Sequence, residues 1–324
     1  MTIEKFLKKY KIFFVSGLPK SGTTWMMNML NCLKEVLCLG QGGFFFNGGG
    51  SIPSLYDSLV NGLRPWYNFI AHRKKNWVGL DEFIQTINRY NFLPSKILNE
   101  NFNKDLKVII RLVICYFMEK AVRNDPQIKL IGDKTPVIQP NRLRLMNTIF
   151  PEARIIFMRR NVKDFIVSLL FHYWRSIRNN RPDCDKFFLK IDDFLRVEHY
   201  INSPKKNSME FVSEDTAIQL AKQWVLINRE AEQIKREKSK VLTIVSYEQL
   251  WQSPVETMKE ILSFLDLDVS DERLIEIVQS TSINAIKHGQ DECLKTHVRS
   301  GKPGNWTIFL SNKVSKAIDK YFLD

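Results

Sequence analysis

The feature that most constrains this chain is a short apolar run, followed by a glycine-containing loop and then a helical pattern, close to its N-terminus. Residues Lys11–Ser16 (KIFFVS) have the length, the aromatic content and the following glycine of a buried β-strand. From Thr23 to Leu33, apolar residues recur at the spacing of a helix. A strand, a loop and a helix in this order open a βαβ unit, which predicts a parallel sheet.

Three later segments repeat the strand pattern, and helical patterns separate them. We predict strands at 129–133 (KLIGD), 153–158 (ARIIFM) and 241–245 (VLTIV). Strands that alternate with helices indicate an α/β fold with a central parallel sheet flanked by helices. We expect one domain over residues 1–324, with helical insertions near 40–125 and 179–215. The predicted helices are 23–33, 162–170, 216–238, 255–264, 271–279 and 311–322.

The loop between the first strand and the first helix has the composition of an anion-binding site. It runs Gly17-Leu-Pro-Lys-Ser-Gly-Thr-Thr-Trp25, where the N–H groups and the dipole of the following helix favour negative charge. Lys20 adds a full positive charge, and Gly22 lets the backbone approach an anion closely. Further hydroxyl donors are supplied by Ser21, Thr23 and Thr24.

Two other interpretations of this loop stay open at this point. It can be a Ser/Thr-capped helix after a proline turn, or the phosphate loop of a kinase. In the kinase-type signature G-x-x-x-x-G-K-[ST] the lysine follows the second glycine. Here Gly17 and Gly22 have that spacing, but Thr23 takes the lysine position and Lys20 precedes the second glycine. No acidic Mg²⁺ partner stands out, and a loop of this kind can bind a 5′-phosphosulfate without a metal.

A second cationic segment follows the strand at 153–158. Arg160 begins the sequence RNVKDFIVS, and on a helix residues 160, 164, 168 and 172 share one face. That face would carry Arg160, Asp164, Ser168 and His172. Arginine suits a phosphate because its planar guanidinium donates hydrogen bonds in pairs. An exposed, arginine-rich helix start is an equally good interpretation of this segment by itself.

The overall charge agrees with an anionic ligand but does not choose one. The formal net charge is +13, with 48 Lys and Arg against 35 Asp and Glu, which favours nucleotides, nucleic acid, acidic polysaccharide or an anionic membrane surface. The five cysteines are scattered without a C-x-x-C pair, as in reduced intracellular proteins. The apolar run at 12–15 is too short for a signal-peptide core. We expect a cytoplasmic protein with no integral membrane association.

These segments together resemble the sulfotransferases that use 3′-phosphoadenosine 5′-phosphosulfate (PAPS) as donor. Pro19–Trp25 resembles their 5′-phosphosulfate loop, and Arg160 with Ser168 stands at the matching positions of their 3′-phosphate signature. The resemblance implies a P-loop-NTPase-like sulfotransferase fold, PAPS as donor and adenosine 3′,5′-bisphosphate (PAP) as product. It also implies donor contacts from the loop, namely Lys20, Ser21, Gly22, Thr23, Thr24 and Trp25.

Weaker parts of the same resemblance lie further along the chain. Tyr247 stands where the family has a tyrosine that reaches the adenine, and Thr281 lies in a turn that resembles another donor contact. Residues 299–306 (RSGKPGNW) resemble the R-K-G-x-x-G-x-W loop that closes over the 3′-phosphate, with Arg299 and Gly301 matching. Ser300 replaces the family's lysine there, which removes one positive charge.

The sequence offers two candidates for the catalytic base. In-line sulfuryl transfer to a hydroxyl needs a group that accepts the proton. Aryl and steroid sulfotransferases resemble this chain but carry a histidine in a K-T-H segment, where this chain has Asp133-Lys-Thr-Pro. Asp133 is therefore the candidate base and Lys134 a candidate electrostatic support, with Lys20 balancing the leaving group. His172 is the alternative base.

The predicted function is sulfuryl transfer from PAPS to a hydroxyl or amine acceptor that the sequence does not identify. The partners expected are the nucleotide donor and this acceptor, with no nucleic acid. A P-loop kinase of a small metabolite and a non-catalytic binder of acidic polymers are the alternatives. Aromatic residues at 44–46, 66, 67 and 77 allow an apolar or ring-bearing acceptor, and they fit core packing equally well.

Overall fold

The computed structural model describes residues 3–40, 100–122, 125–178, 191–203, 210–288 and 301–323. Within these ranges, parallel pairing joins five strands into one sheet. The strands are Lys11–Gly17 (β1), Val36–Leu39 (β2), Leu130–Pro136 (β3), Arg154–Arg159 (β4) and Leu242–Ser246 (β5). Their order is β2-β3-β1-β4-β5, so the first strand lies in the middle. The predicted central parallel sheet is confirmed, and β2 is the strand that the sequence patterns missed.

The register of the strands brings their carboxyl ends to one edge of the sheet. Gly17, the last residue of β1, lies opposite Pro136 on one side and Met158 on the other. Arg159 at the end of β4 lies opposite Ser246 at the end of β5. The segments that follow these strands therefore start side by side, which is where ligands bind in open α/β sheets.

Helices connect the strands and cover the sheet. The helices at 23–33, 216–238, 255–264, 271–279 and 311–322 that the sequence predicts are all found, with ends shifted by one or two residues. The helices that the structure describes are Ile3–Lys9 (α1), Thr23–Asn31 (α2), Glu100–Val122 (α3), Arg142–Ile149 (α4), Val162–Arg178 (α5), Ile191–Asn202 (α6), Glu214–Glu237 (α7), Tyr247–Gln252 (α8), Pro254–Phe264 (α9), Asp271–Ser280 (α10), Ile283–His288 (α11) and Asn312–Leu323 (α12). A 3₁₀ turn at Asn305–Ile308 precedes α12.

Two apolar cores form because successive residues of a strand point to opposite faces of the sheet. Phe14 of β1 packs into a core with α3, α4, α5, α7 and α12, whereas Phe13 and Val15 pack into a core with α2, α9 and α10. All three of these β1 side chains are fully buried. The central strand, covered on both faces, holds the loop after Gly17 in a fixed place.

The helical insertion that the sequence predicts near 179–215 packs in part against the core. It contains α6, which buries Val197 and Tyr200 in the core beside α5. The helical insertion predicted near 40–125 is described at Glu100–Val122, where it forms α3, and its part at 41–99, with the aromatic residues at 44–46, 66, 67 and 77, lies outside the described residues. Among the helices that the structure describes, none combines the length and apolarity needed to cross a membrane.

Candidate active site

The loop between β1 and α2 lies at the carboxyl edge of the sheet and leads into an uncapped helix start. Lys20 has a φ of 69° and Gly22 a φ of 96°, so the loop passes through left-handed backbone twice. Gly22 is the N-cap residue of α2, and no side chain makes a capping hydrogen bond there. Because the first N–H groups of a helix lack intrahelical partners, this start can receive an anion. The alternative interpretation as a Ser/Thr-capped helix is therefore wrong.

Gly22 is required by a contact as well as by its backbone conformation. A Cβ at this position would lie 2.6 Å from Cδ2 of Tyr247, the first residue of α8. The aromatic ring at the end of β5 therefore packs directly on the glycine of the loop after β1. The structure therefore brings Tyr247 against the loop that the sequence predicts to bind phosphate.

Arg160 joins the second cationic segment to this loop. Its Nη1 donates a hydrogen bond to the backbone oxygen of Lys20 at 3.2 Å. Its guanidinium carbon lies 4.4 Å from the centroid of the Tyr247 ring, within range of a cation–π interaction. The two segments, distant in sequence, therefore meet in the folded chain around one aromatic ring.

Among the described residues, two polar atoms at this junction are buried and have no hydrogen-bond partner. Ser21 is 1% exposed and Arg160 is 7% exposed. In the part of the chain that the structure describes, neither Oγ of Ser21 nor Nε of Arg160 has a hydrogen-bond partner. A buried donor without an acceptor costs about 1–3 kcal/mol, more when it is charged. An anion with acceptor oxygens on both sides would satisfy both groups, so these residues fit a phosphorylated ligand.

The start of α5, which lies between Arg160 and Ser168, is fixed by two polar side chains. Oδ1 of Asn161 accepts from the N–H of Lys163 at 2.9 Å, so Asn161 caps the helix. Nε1 of Trp224 in α7 donates to the backbone oxygen of Arg160 at 2.9 Å. The Trp224 contact links residues 64 positions apart, so no local pattern signals it, whereas the Asn161 cap is local in the sequence.

Aromatic contacts continue the site toward α10. The Trp25 ring lies edge-on to Tyr247, with centroids 5.7 Å apart, and its Nε1 donates to the backbone oxygen of Thr281 at 2.9 Å. The hydroxyl of Thr281 donates back to Ile277 at 2.7 Å. Burial raises the pKa of the Tyr247 phenol above its usual value, which keeps the hydroxyl protonated as a donor. The structure thus brings the predicted residues Trp25, Tyr247 and Thr281 together.

The C-terminal segment also reaches this site. The hydroxyl of Tyr247 donates to the backbone oxygen of Gly301 at 2.6 Å. Two further predicted residues, Arg299 and Ser300, lie outside the described residues, immediately before Gly301. Gly301 therefore lies beside Tyr247, another residue that the sequence predicts to contact the donor.

The candidate catalytic residues do not all face the same way. In the register of the sheet, Asp133 lies beside Phe14 and Lys134 beside Val15, so the two side chains leave β3 on opposite faces. Asp133 is completely buried, and its Oδ2 accepts from the Thr135 hydroxyl at 2.9 Å. Nζ of Lys134 lies 3.5 Å from Oγ1 of Thr24, at the phosphate loop.

Ser168 and His172 both lie on α5, but the helix begins at Val162, so the prediction that Arg160 shares their helix face is wrong and Arg160 precedes the helix. Ser168 is buried, and His172 is partly exposed.

Burial also raises the pKa of the Cys38 thiol, close to Asp133, so this thiol stays neutral. Among the described residues, no group of His, Cys, Asp or Glu side chains is arranged to hold a metal ion.

A parallel α/β sheet with a lysine-bearing anion loop after its central strand defines a nucleotide-binding protein of the phosphate-loop type. The family model described as "Sulfotransferase domain" matches residues 11–324. The chain belongs to this family. It is a PAPS-dependent sulfotransferase, as the motifs at Lys20 and Arg160 predict, and the alternatives of a kinase or a non-catalytic binder are set aside.

Individual relatives agree in fold at low sequence identity. The chain is 26% identical over 240 residues to "Sulfotransferase 6B1" of Danio rerio, a match that covers 70% of each protein. It resembles mouse sulfotransferase SULT7A1 complexed with PAP, with a TM-score of 0.52, 17% identity and coverage of 97% and 82% of the two chains. It also resembles retinol dehydratase in a complex with retinol and PAP, with a TM-score of 0.52, 14% identity and coverage of 99% and 85%.

Proposed function

We propose that a single PAPS molecule binds across the junction of the phosphate loop and the start of α5. The loop from Lys20 to Trp25 would hold the 5′-phosphosulfate, and Arg160 with Ser168 would hold the 3′-phosphate. The observation that carries this proposal is the 3.2 Å hydrogen bond between Arg160 and the backbone of Lys20. It brings both proposed phosphate sites within the reach of one nucleotide, and the buried donors of Ser21 and Arg160 support it.

The adenosine end would lie against the aromatic residues of the same site. Trp25 and Tyr247 offer ring faces and edges, and Thr281 lies next to the Trp25 indole. The segment that ends at Gly301 would close the 3′-phosphate side, with Arg299 and Ser300 as proposed contacts. This arrangement assigns a role to each group that the sequence singles out for donor binding.

Bound PAPS supplies a sulfuryl group on a phosphate leaving group. Transfer forms a bond from the acceptor oxygen or nitrogen to sulfur and breaks the bond from sulfur to the bridging oxygen, which leaves with PAP. Lys20 would stabilise the charge that develops on that oxygen, and Lys134, beside Thr24, would support the transferred group. Positioning and charge stabilisation account for most of such catalysis.

The acceptor proton needs a base, and the structure favours His172 over Asp133 in this proposal. A base must come within hydrogen-bond reach of the acceptor. Asp133 is completely buried and accepts a hydrogen bond from Thr135, whereas His172 is partly exposed on the helix that carries Ser168. An imidazole also changes its protonation near neutral pH, which suits proton transfer.

We propose a hydroxyl or amine acceptor, no nucleic-acid partner and a single domain over 1–324. A cytoplasmic location is supported by the described cysteines Cys32, Cys38 and Cys115, all of which are free thiols. Burial raises the pKa of Cys115 to about 12, so this thiol is chemically inert.

The proposed function is tested by incubating the protein with sulfur-labelled PAPS and a panel of phenols, steroids, alcohols and amines, without added Mg²⁺. We expect label transfer to at least one acceptor class. Lys20→Met should lower kcat by roughly a hundredfold or more, since one electrostatic contact to the developing charge is typically worth that much. Transfer that proceeds equally well in Lys20→Met would contradict the assigned role.

A further inference from the structure

A buried acidic side chain on α5 has no role in the donor site described so far. Asp164 is 2% exposed and lies in the first turn of the helix that follows Arg160. Its Oδ2 accepts from the N–H of Gly304 at 2.7 Å, and its Oδ1 accepts from the N–H of Trp306 at 3.1 Å. Both oxygens of one carboxylate therefore hold the backbone of the C-terminal segment.

The shape of this segment is built for these two hydrogen bonds. Gly304 has a φ of 77°, and a Cβ there would meet nothing within 4 Å, so the glycine is needed for its backbone conformation alone. The turn lets the N–H groups of Gly304 and Trp306 point to the same carboxylate. Lys163, the neighbour of Asp164, places its Nζ 4.4 Å from the centroid of the Trp306 ring.

The other end of the segment touches the donor site. Gly301 accepts a hydrogen bond from the Tyr247 hydroxyl, and the Tyr247 ring lies beneath the Arg160 guanidinium. The residues from 301 to 306 thus run from the Arg160 junction to Asp164. An acidic residue in the first turn of a helix is common because it complements the helix dipole. Here both of its oxygens are used on a segment about 140 positions further along the chain.

We infer that Asp164 is a positioning residue, which fixes the 301–306 segment so that the residues at its N-terminal end close over the 3′-phosphate of the donor. This inference rests on the proposed donor site. Asp164 itself carries a negative charge, so it acts through the backbone of the segment and makes no contact with the phosphate. Its effect should appear in the recognition of the 3′-phosphate and leave the 5′-phosphate loop unaffected.

The test compares the binding of PAP and of adenosine 5′-monophosphate (AMP), which lacks the 3′-phosphate, by calorimetry on the full chain. Asp164→Asn keeps the size of the side chain, but places an amide NH₂ against one of the two backbone N–H groups. Loss of one charged hydrogen bond corresponds to about tenfold weaker PAP binding, and we expect AMP binding to change by less than about twofold. Asp164→Glu, which retains the charge and both oxygens, should recover part of the preference for PAP.

Asp193→Asn is the matched control. Asp193 is also 2% exposed, lies in the first turn of α6 and accepts a hydrogen bond, from Thr216 at 3.0 Å. Its substitution should lower thermal stability without changing the ratio of PAP to AMP affinity. A wild-type ratio in a folded Asp164→Asn variant, or no recovery of the ratio in a folded Asp164→Glu variant, overturns the inference. A wild-type protein that binds PAP no better than AMP overturns the proposed donor site itself.

Discussion

Replacement of Gly22 by alanine tests the packing at the centre of the proposed site. The added Cβ would lie 2.6 Å from Cδ2 of Tyr247, closer than side-chain carbons approach in folded proteins, so the ring must move. That ring also supports the Arg160 guanidinium at 4.4 Å. We therefore expect Gly22→Ala to reduce both the stability of the fold and the affinity for PAP.

The size of the effect follows from two separate costs. Alanine at a φ of 96° adds left-handed backbone strain of about 1–2 kcal/mol. Crowding in a packed site adds about 1–3 kcal/mol. The free energy of unfolding should therefore fall by roughly 2–5 kcal/mol. Gly304→Ala provides the comparison, because its φ of 77° carries the strain while open space surrounds the new Cβ.

The assay is urea unfolding of both variants, followed by calorimetric titration with PAP. Gly304→Ala should cost only the strain, about 1–2 kcal/mol. In a Tyr247→Ala background, the additional cost of Gly22→Ala should fall to the same value, since the clashing ring is gone. Equal costs for Gly22→Ala and Gly304→Ala in the wild-type background would refute the packing of Tyr247 on the loop.

Three further outcomes are expected from the structure. Arg160→Lys keeps the charge but loses the planar guanidinium, so PAP binding should weaken by about tenfold or more in calorimetry while AMP binding changes little. In steady-state assays, His172→Ala should lower kcat more than Asp133→Asn does, and the reverse order would assign the base to Asp133. Hydrogen bonds lower the pKa of the Asp266 carboxyl to about 2, and the bond from Arg154 makes the largest contribution. The ionised carboxylate is therefore favoured in the folded state, and its contribution to stability is lost as the pH falls from about 4 towards 2. Asp266→Asn should remove that part of the acid sensitivity in denaturation curves, and an unchanged pH profile would contradict the assignment.

Local sequence patterns were sufficient for four of the five described strands and for locating the two cationic segments that meet in the fold. The run from Lys11 to Ser16 is buried on both faces, so its apolar character is continuous and easy to recognise. The strand Val36–Leu39 is too short to show a pattern of its own. Side chains alternate along a strand, so Asp133 and Lys134 must face opposite sides of the sheet. The prediction that both serve one acceptor overlooked this alternation.

The contacts that complete the site join residues that are far apart in the sequence. Nothing near Gly22 in the sequence indicates that Tyr247 will pack on it, and nothing near Asp164 indicates that it will hold the backbone at 304 and 306. These pairings depend on which strand ends meet at the edge of the sheet. The order of the strands therefore had to be known before the polar partners could be assigned.

A crystal structure of the protein with PAP would show directly whether the two segments hold a single donor. We expect one nucleotide whose 5′-phosphate accepts a hydrogen bond from Oγ of Ser21 and whose 3′-phosphate accepts one from the guanidinium of Arg160. Both of the buried donors would then have partners. PAP bound elsewhere, or bound with only one of its phosphates at these residues, would contradict the claim that the two segments hold a single donor.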